Sequence, residues 1–102
     1  MNGMDCIAAL KALGEESRMR IMALLLQERL GVNDISERLK LSQYNTSKHL
    51  RILREAGLLQ MEKQGKLRIY TTTPGLKEQV EEGSNVLELG CCQFRFDTRA
   101  GQ

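Results

Sequence analysis

Ser42-Gln43-Tyr44-Asn45-Thr46-Ser47-Lys48-His49-Leu50-Arg51-Ile52-Leu53-Arg54-Glu55-Ala56-Gly57-Leu58-Leu59 is the stretch whose reading decides the fold. Ser42 has the chemistry of an N-cap, because its hydroxyl can accept an orphan backbone N–H at a helix start. Behind it, Thr46, Leu50 and Leu53 recur at helical spacing with His49 beside them, and they predict one inward stripe. Gly57 suits the left-handed position just past a helix end. The other face carries hydrogen-bonding and cationic side chains: Gln43, Asn45, Ser47, Lys48 and Arg51.

Upstream, Val32 to Lys40 reads as a short helix with Val32, Ile35 and Leu39 on one side, and Leu41-Ser42 as a tight turn. Downstream, Leu58 to Glu62 and Leu67 to Thr72 read as two strands with Gln64-Gly65 at the turn, closed by Pro74 and Gly75. Two short helices joined by a turn and followed by a hairpin describe a winged helix-turn-helix, mainly α with a small β-hairpin. Residues 4–13 form a further helix candidate, with Met4, Ile7 and Leu10 at helical spacing, broken by Gly14. Glu15 and Glu16 favour the start of the next helix. Its apolar run from Met19 to Leu26 belongs in the core, and Gly31 is expected to end it. A last helix is expected from Leu76 to Leu89, interrupted at Gly83 and Ser84. The stretch from Gly90 to Gln102 alternates at Phe94 and Phe96 and is left open between a strand-like tail and disorder. The expected organisation is one domain over residues 1–90 and a cysteine-bearing tail over 91–102.

The chain has 102 residues, 41% apolar and 4% aromatic with no Trp, so a modest, aliphatic core is expected. No apolar run approaches the roughly 18 to 20 residues of a membrane span, and no secretory signal precedes the first helix. A cytoplasmic protein without a membrane partner follows as the expectation, with its three cysteines as reduced thiols. The charge is unevenly spread. Residues 37–72 carry eight basic and three acidic side chains, a net of +5, against −1 for residues 1–36 and −2 for residues 73–102. That concentration is the electrostatic footprint of a nucleic-acid binder. Gln43 and Asn45 can pair with adenine, Lys48 and Arg51 can reach guanine or phosphate, and Ser47 can serve either. Lys63, Lys66 and Arg68 on the hairpin suit phosphate or minor-groove contact. Ser42 stands where a helix N-terminus can help hold a phosphate.

The chain resembles the ArsR/SmtB family of bacterial transcriptional repressors over roughly residues 4–89. The resemblance rests on Ala12-Leu13-Gly14-Glu15-Glu16-Ser17-Arg18-Met19-Arg20-Ile21, on Ser42-Gln43 and Ser47-Lys48-His49-Leu50, on Leu53-Arg54-Glu55-Ala56-Gly57-Leu58-Leu59, and on Lys63 to Tyr70. It implies a homodimer, joined through its first and last helices, that binds a palindromic operator in double-stranded DNA and releases it on binding an inducer. It also implies that His49 packs and hydrogen-bonds within the DNA helix and does not bind metal. Metal-sensing members place a Cys-Val-Cys at the start of the helix before the recognition helix, or histidines and carboxylates on the last helix. Here Gly31 and Asn33 stand at the cysteine positions, and no histidine follows His49.

The remaining soft ligands are Cys91, Cys92 and Cys6. Adjacent cysteines do not readily close a relaxed disulfide with each other. They suit a large thiophilic centre such as As(III) or Sb(III), which is three-coordinate and prefers thiolates. Cys91 and Cys92 would supply two ligands, and the third is left open between Cys6, an exogenous thiol and none, with no constitutive cofactor. The same thiols could instead answer oxidation, persulfidation, or a soft metal such as cadmium or lead. An enzyme is not expected, since catalytic thiols usually need a nearby base or a Cys-x-x-Cys frame, and the pair is flanked by Glu88, Gln93, Arg95 and Asp97.

Overall fold

The computed structural model describes residues 6–77, 85–89 and 93–96. The first helix, α1 (Cys6–Leu13), buries Ala9, Ala12 and Leu13. Ile7 and Leu10 point the other way, 62% and 41% exposed. The apolar spacing of Ile7 and Leu10 therefore marks a second apolar face of α1, not the one that meets the core; Met4 lies outside the described residues.

The second helix, α2 (Glu16–Leu25), is capped by Glu15, whose carboxylate accepts the Arg18 backbone N–H at 3.0 Å. Ile21, Met22 and Leu25 have no exposed surface, so α2 is the central helix of the core. It ends at Leu25, well before Gly31. Leu30–Gly31 instead form a short strand, β1, which pairs antiparallel with the wing. The Arg68 carbonyl there would lie 3.4 Å from a Cβ on Gly31.

The third helix, α3 (Val32–Leu39), turns out of its axis through Lys40, in the left-handed region at φ 59°. The Leu41 N–H returns to the Ser36 carbonyl at 3.0 Å, the closing bond of a Schellman turn. The fourth helix, α4 (Gln43–Glu55), starts on Ser42, whose Oγ accepts the Asn45 N–H at 3.0 Å. Thr46, Leu50 and Leu53 are fully buried. Gly57, at φ 87°, ends α4, with the Leu58 N–H bonded back to Leu53 at 3.0 Å.

The wing strands β2 (Leu59–Gln64) and β3 (Leu67–Thr72) pair antiparallel from Leu59↔Thr72 to Gln64↔Leu67. Gly65, at φ 64°, supplies the left-handed residue of their two-residue turn. The sheet order is β1-β3-β2, and Tyr70 and Thr72 face the core. No helix among the described residues is long and apolar enough to cross a membrane.

The expected last helix is corrected. Helix α5 is described over Pro74–Lys77, residues 78–84 lie outside the described residues, and Asn85–Glu88 form not a helix but a strand, β4, paired with Gln93–Phe96, β5. Leu87 and Leu89 bury with the period of two of a strand. Phe94 stands opposite Leu87 and packs on the core.

Two outcomes test the helix starts. Ser42→Ala should lower the unfolding free energy by about 1 kcal/mol and Ser42→Gly by only a few tenths, read from urea midpoints; equal losses would remove the capping bond as the cause. The Glu15 carboxyl is held below its ordinary value of 4.5, first by the Arg18 backbone N–H and then by the Arg18 guanidinium, with burial opposing. The unfolded chain thus takes up the proton first as pH falls. The cap's contribution is present above about pH 4.5 and is lost below it. Glu15→Gln should flatten that part of the stability–pH curve.

Candidate nucleic-acid interface

Because α4 buries Thr46, Leu50 and Leu53, its opposite face turns outward. Gln43, Asn45, Ser47, Lys48 and Arg51 are all exposed, and Ser42 is exposed at the cap. Lys48 and Arg51 form no ion pair among the described residues. Lys63, Lys66 and Arg68 are exposed on the wing and equally without an ion pair among those residues. Lys63 stands directly opposite Arg68 in the β2–β3 register. Like charges facing each other across a strand pair are unfavourable in the free protein. An arriving polyanion turns that repulsion into attraction at two points.

One side chain escaped the sequence reading. Tyr44 is 78% exposed. It lines an open groove on α4 with Ser47, Lys48 and Arg51. The positions 44, 48 and 51 share one face at helical spacing, so the signal was present; a phenol was passed over because amides and cations drew the reading. A phenol can donate to phosphate and lay its ring against a thymine methyl. The Gln43 amide donates to Asn33 Oδ1 at the start of α3 and so is tied across the helix-turn-helix.

His49 is mostly buried in the middle of α4, and its partners explain it. Its Nδ1 lies 3.1 Å from Arg18 Nη1 and 4.0 Å from Glu15 Oε1. Arg18 also donates through Nε to the Ala12 carbonyl at 2.5 Å. Guanidinium has no acceptor, so Nδ1 is the accepting nitrogen of a neutral ring in this arrangement. The result is a clamp from the end of α1 through α2 to α4.

Cys6 begins α1, partly buried and packed against the core. Its sulfur lies 3.9 Å from the Leu89 carbonyl oxygen, directly after β4. Contrary to the expectation of three free thiols, Cys6 is disulfide-bonded. It is the one cysteine among the described residues; Cys91 and Cys92 lie outside them. In sequence they belong to the connection between β4 and β5, whose ends are joined by the Glu88↔Gln93 pair. Among the described residues no three His, Cys, Asp or Glu side chains converge as a metal ion would require.

A model of the family described as "Bacterial regulatory protein, arsR family" matches residues 15–60, from the cap of α2 to the start of the wing. The transcriptional activator HlyU of Vibrio cholerae is 39% identical over 70 residues, covering 69% of this chain and 65% of that protein. A cadmium resistance regulatory protein CadC homolog of Staphylococcus aureus is 35% identical over 71 residues, covering 69% and 59%. The arsenical resistance operon repressor of Escherichia coli is 42% identical over 69 residues, covering 67% and 59%. The matched region thus spans 59% to 65% of these relatives' lengths. A solved structure of HlyU from Vibrio cholerae superposes with a TM-score of 0.64 at 38% identity, covering 67% of this chain and 74% of that one. With its helix-turn-helix, its wing and these relatives, the chain belongs to the arsR family of bacterial regulatory proteins.

Proposed function

We propose that the protein is a cytoplasmic homodimeric transcriptional repressor that holds operator DNA and releases it when As(III) or Sb(III) binds Cys91, Cys92 and Cys6. The observation that carries the DNA half is the outward face of α4 and the wing tip, where five cations stand without ion-pair partners among the described residues. A B-DNA major groove, about 12 Å wide, admits a helix such as α4. Its first turns meet base edges through Gln43, Asn45, Ser47, Lys48 and Arg51, while Lys63, Lys66 and Arg68 grip the backbone. The exposed Ile7 and Leu10 on α1 support a homodimer joined through that helix. Two symmetric subunits then read two half-sites. The reaction is binding and release, with no catalytic step.

The thiol half is supported by the approach of Cys6 to Leu89, two residues before Cys91. A three-coordinate arsenic centre needs three sulfurs in one place, and the chain has three cysteines. Release requires that the inducer bind one dimer shape more tightly than the other. The names of the arsenical and cadmium relatives favour a soft inducer. A second reading, an oxidation signal, is favoured by the disulfide at Cys6.

Arg51→Ala should lower operator affinity by about 1–3 kcal/mol and relax the base preference it supplies. Lys66→Ala should weaken all duplexes alike and reduce the slope of log K against log salt by about 1. Loss of neither would remove α4 and the wing from the interface. For the inducer, arsenite is titrated into the reduced protein bound to a fluorescent duplex from upstream of its own gene, and anisotropy is read. Arsenite should release the wild-type protein and leave Cys91→Ser bound. Release by peroxide and not by arsenite would select the oxidation reading.

A further inference from the structure

We propose that Asn33, a residue of α3 outside the recognition helix, determines base specificity by fixing the amide of Gln43; the inference rests on the DNA-binding reading above. Gln43 is the first residue of α4 after its cap, and its Nε2 donates to Asn33 Oδ1. The two residues are ten apart in sequence and both exposed, so the bond bridges the two helices on the outer face of the turn.

The chemistry follows from what an untethered glutamine does. Its terminal torsion is broad and roughly two-fold, so oxygen and nitrogen exchange places at little expense. Such a side chain offers donor and acceptor in either order and tolerates several bases. Asn33 removes that freedom. With one Nε2 hydrogen committed to Asn33, Gln43 keeps its Oε1 acceptor and one remaining N–H in a fixed order. An amide held in one order can accept from an exocyclic amine and donate to a ring nitrogen, as the major-groove edge of adenine requires.

Two further features make Asn33 suited to the task. Its own backbone carbonyl accepts the Ser36 hydroxyl at 3.0 Å, which stiffens the first turn of α3 beneath the amide. It also lines a groove with Lys66, Leu67, Arg68 and Ile69, at the seam between α3 and the wing. DNA held by α4 and the wing would cover that seam. In the free protein water competes for both amides. Under a duplex that water is excluded, and the bond between the amides strengthens when the base is read. Asn33 is thus a positioning residue, acting through Gln43.

The test is selection from a pool of duplexes with a randomised centre, by the wild-type protein and by Gln43→Ala, Asn33→Ala and the double variant. Gln43→Ala should flatten the preference at one base pair of each half-site. Asn33→Ala should flatten the same base pair, lowering discrimination there by roughly fivefold or more, the low end of what a bidentate side chain supplies. The double variant should be no flatter than Gln43→Ala alone. Asn33→Asp keeps the Oδ1 acceptor and should keep the preference while binding all duplexes more weakly, because it adds negative charge beside phosphate. The proposal is overturned if Asn33→Ala leaves that base pair as selective as before, if it weakens all positions equally, or if Gln43→Ala flattens no position. If the wild-type protein enriches no sequence, the DNA-binding reading itself fails, and this shows before any variant is compared.

Discussion

Thr46, Leu50 and Leu53 have no exposed surface, and the rest of the molecule is arranged to keep them covered. Ile21, Met22 and Leu25 of α2 and Leu58 at the root of the wing share that core with them. A helix has one rotational setting at which this stripe is buried. Rotating α4 by one residue, about 100°, would bring Ser47 and Arg51 inward in place of Thr46 and Leu50. The outward direction of the polar face is therefore a consequence of core packing and needs no separate device. Even the polar member of the stripe is satisfied, since Thr46 Oγ1 donates to the Ser42 carbonyl at 2.7 Å.

The charge pattern on the surface follows a related logic. Glu62 is the wing's one carboxylate, and Arg29 holds it at 2.7 Å. Glu28 is held in the same way by Arg38, at 2.5 Å. Exposed pairs of this kind add little to stability. Their effect is on the field: each draws a carboxylate toward a cation away from α4. Lys48, Arg51, Lys63, Lys66 and Arg68 are left facing solvent without one among the described residues. A net of +5 over residues 37–72 thereby becomes a positive face and not merely a positive segment.

What was legible in the sequence was local. Ser42, Gly57 and Gly65 announce a cap, a helix end and a turn because each satisfies its own neighbours or takes a φ that few residues tolerate. The stripe of α4 was legible for the same reason, since its period lies within one element. What was missed depends on partners distant in the chain. Leu30–Gly31 is too short to read as a strand and exists because Tyr70 and Ile69 pair with it. The run before Leu89 looked helical, and only the pairing with Gln93–Phe96 makes its second half a strand. Of the candidate interface residues, the cations were legible from their charge and from their places on the outward helix face and the hairpin. The tie between Gln43 and Asn33 and the clamp of His49 by Arg18 need the fold before they can be seen.

The clamp gives the fold a mechanical property that bears on the proposed release. Helix α1 is eight residues long. Its first residue is Cys6, and the carbonyl of Ala12 near its other end anchors Arg18, which in turn holds His49 in the middle of α4. A ligand that pulls on the Cys6 sulfur would therefore shift the acceptor on which Arg18 depends. Close-packed cores yield in discrete steps more than by smooth deformation, so a small movement of α1 has two resolutions: α4 follows, or the Arg18–His49 contact breaks. In a dimer of the proposed kind, either outcome would change the angle that one recognition helix presents to its partner, and two half-sites at fixed spacing would tolerate little change in that angle. The disulfide at Cys6 acts on the same helix, so a metalloid and an oxidant would work the same lever from the same end.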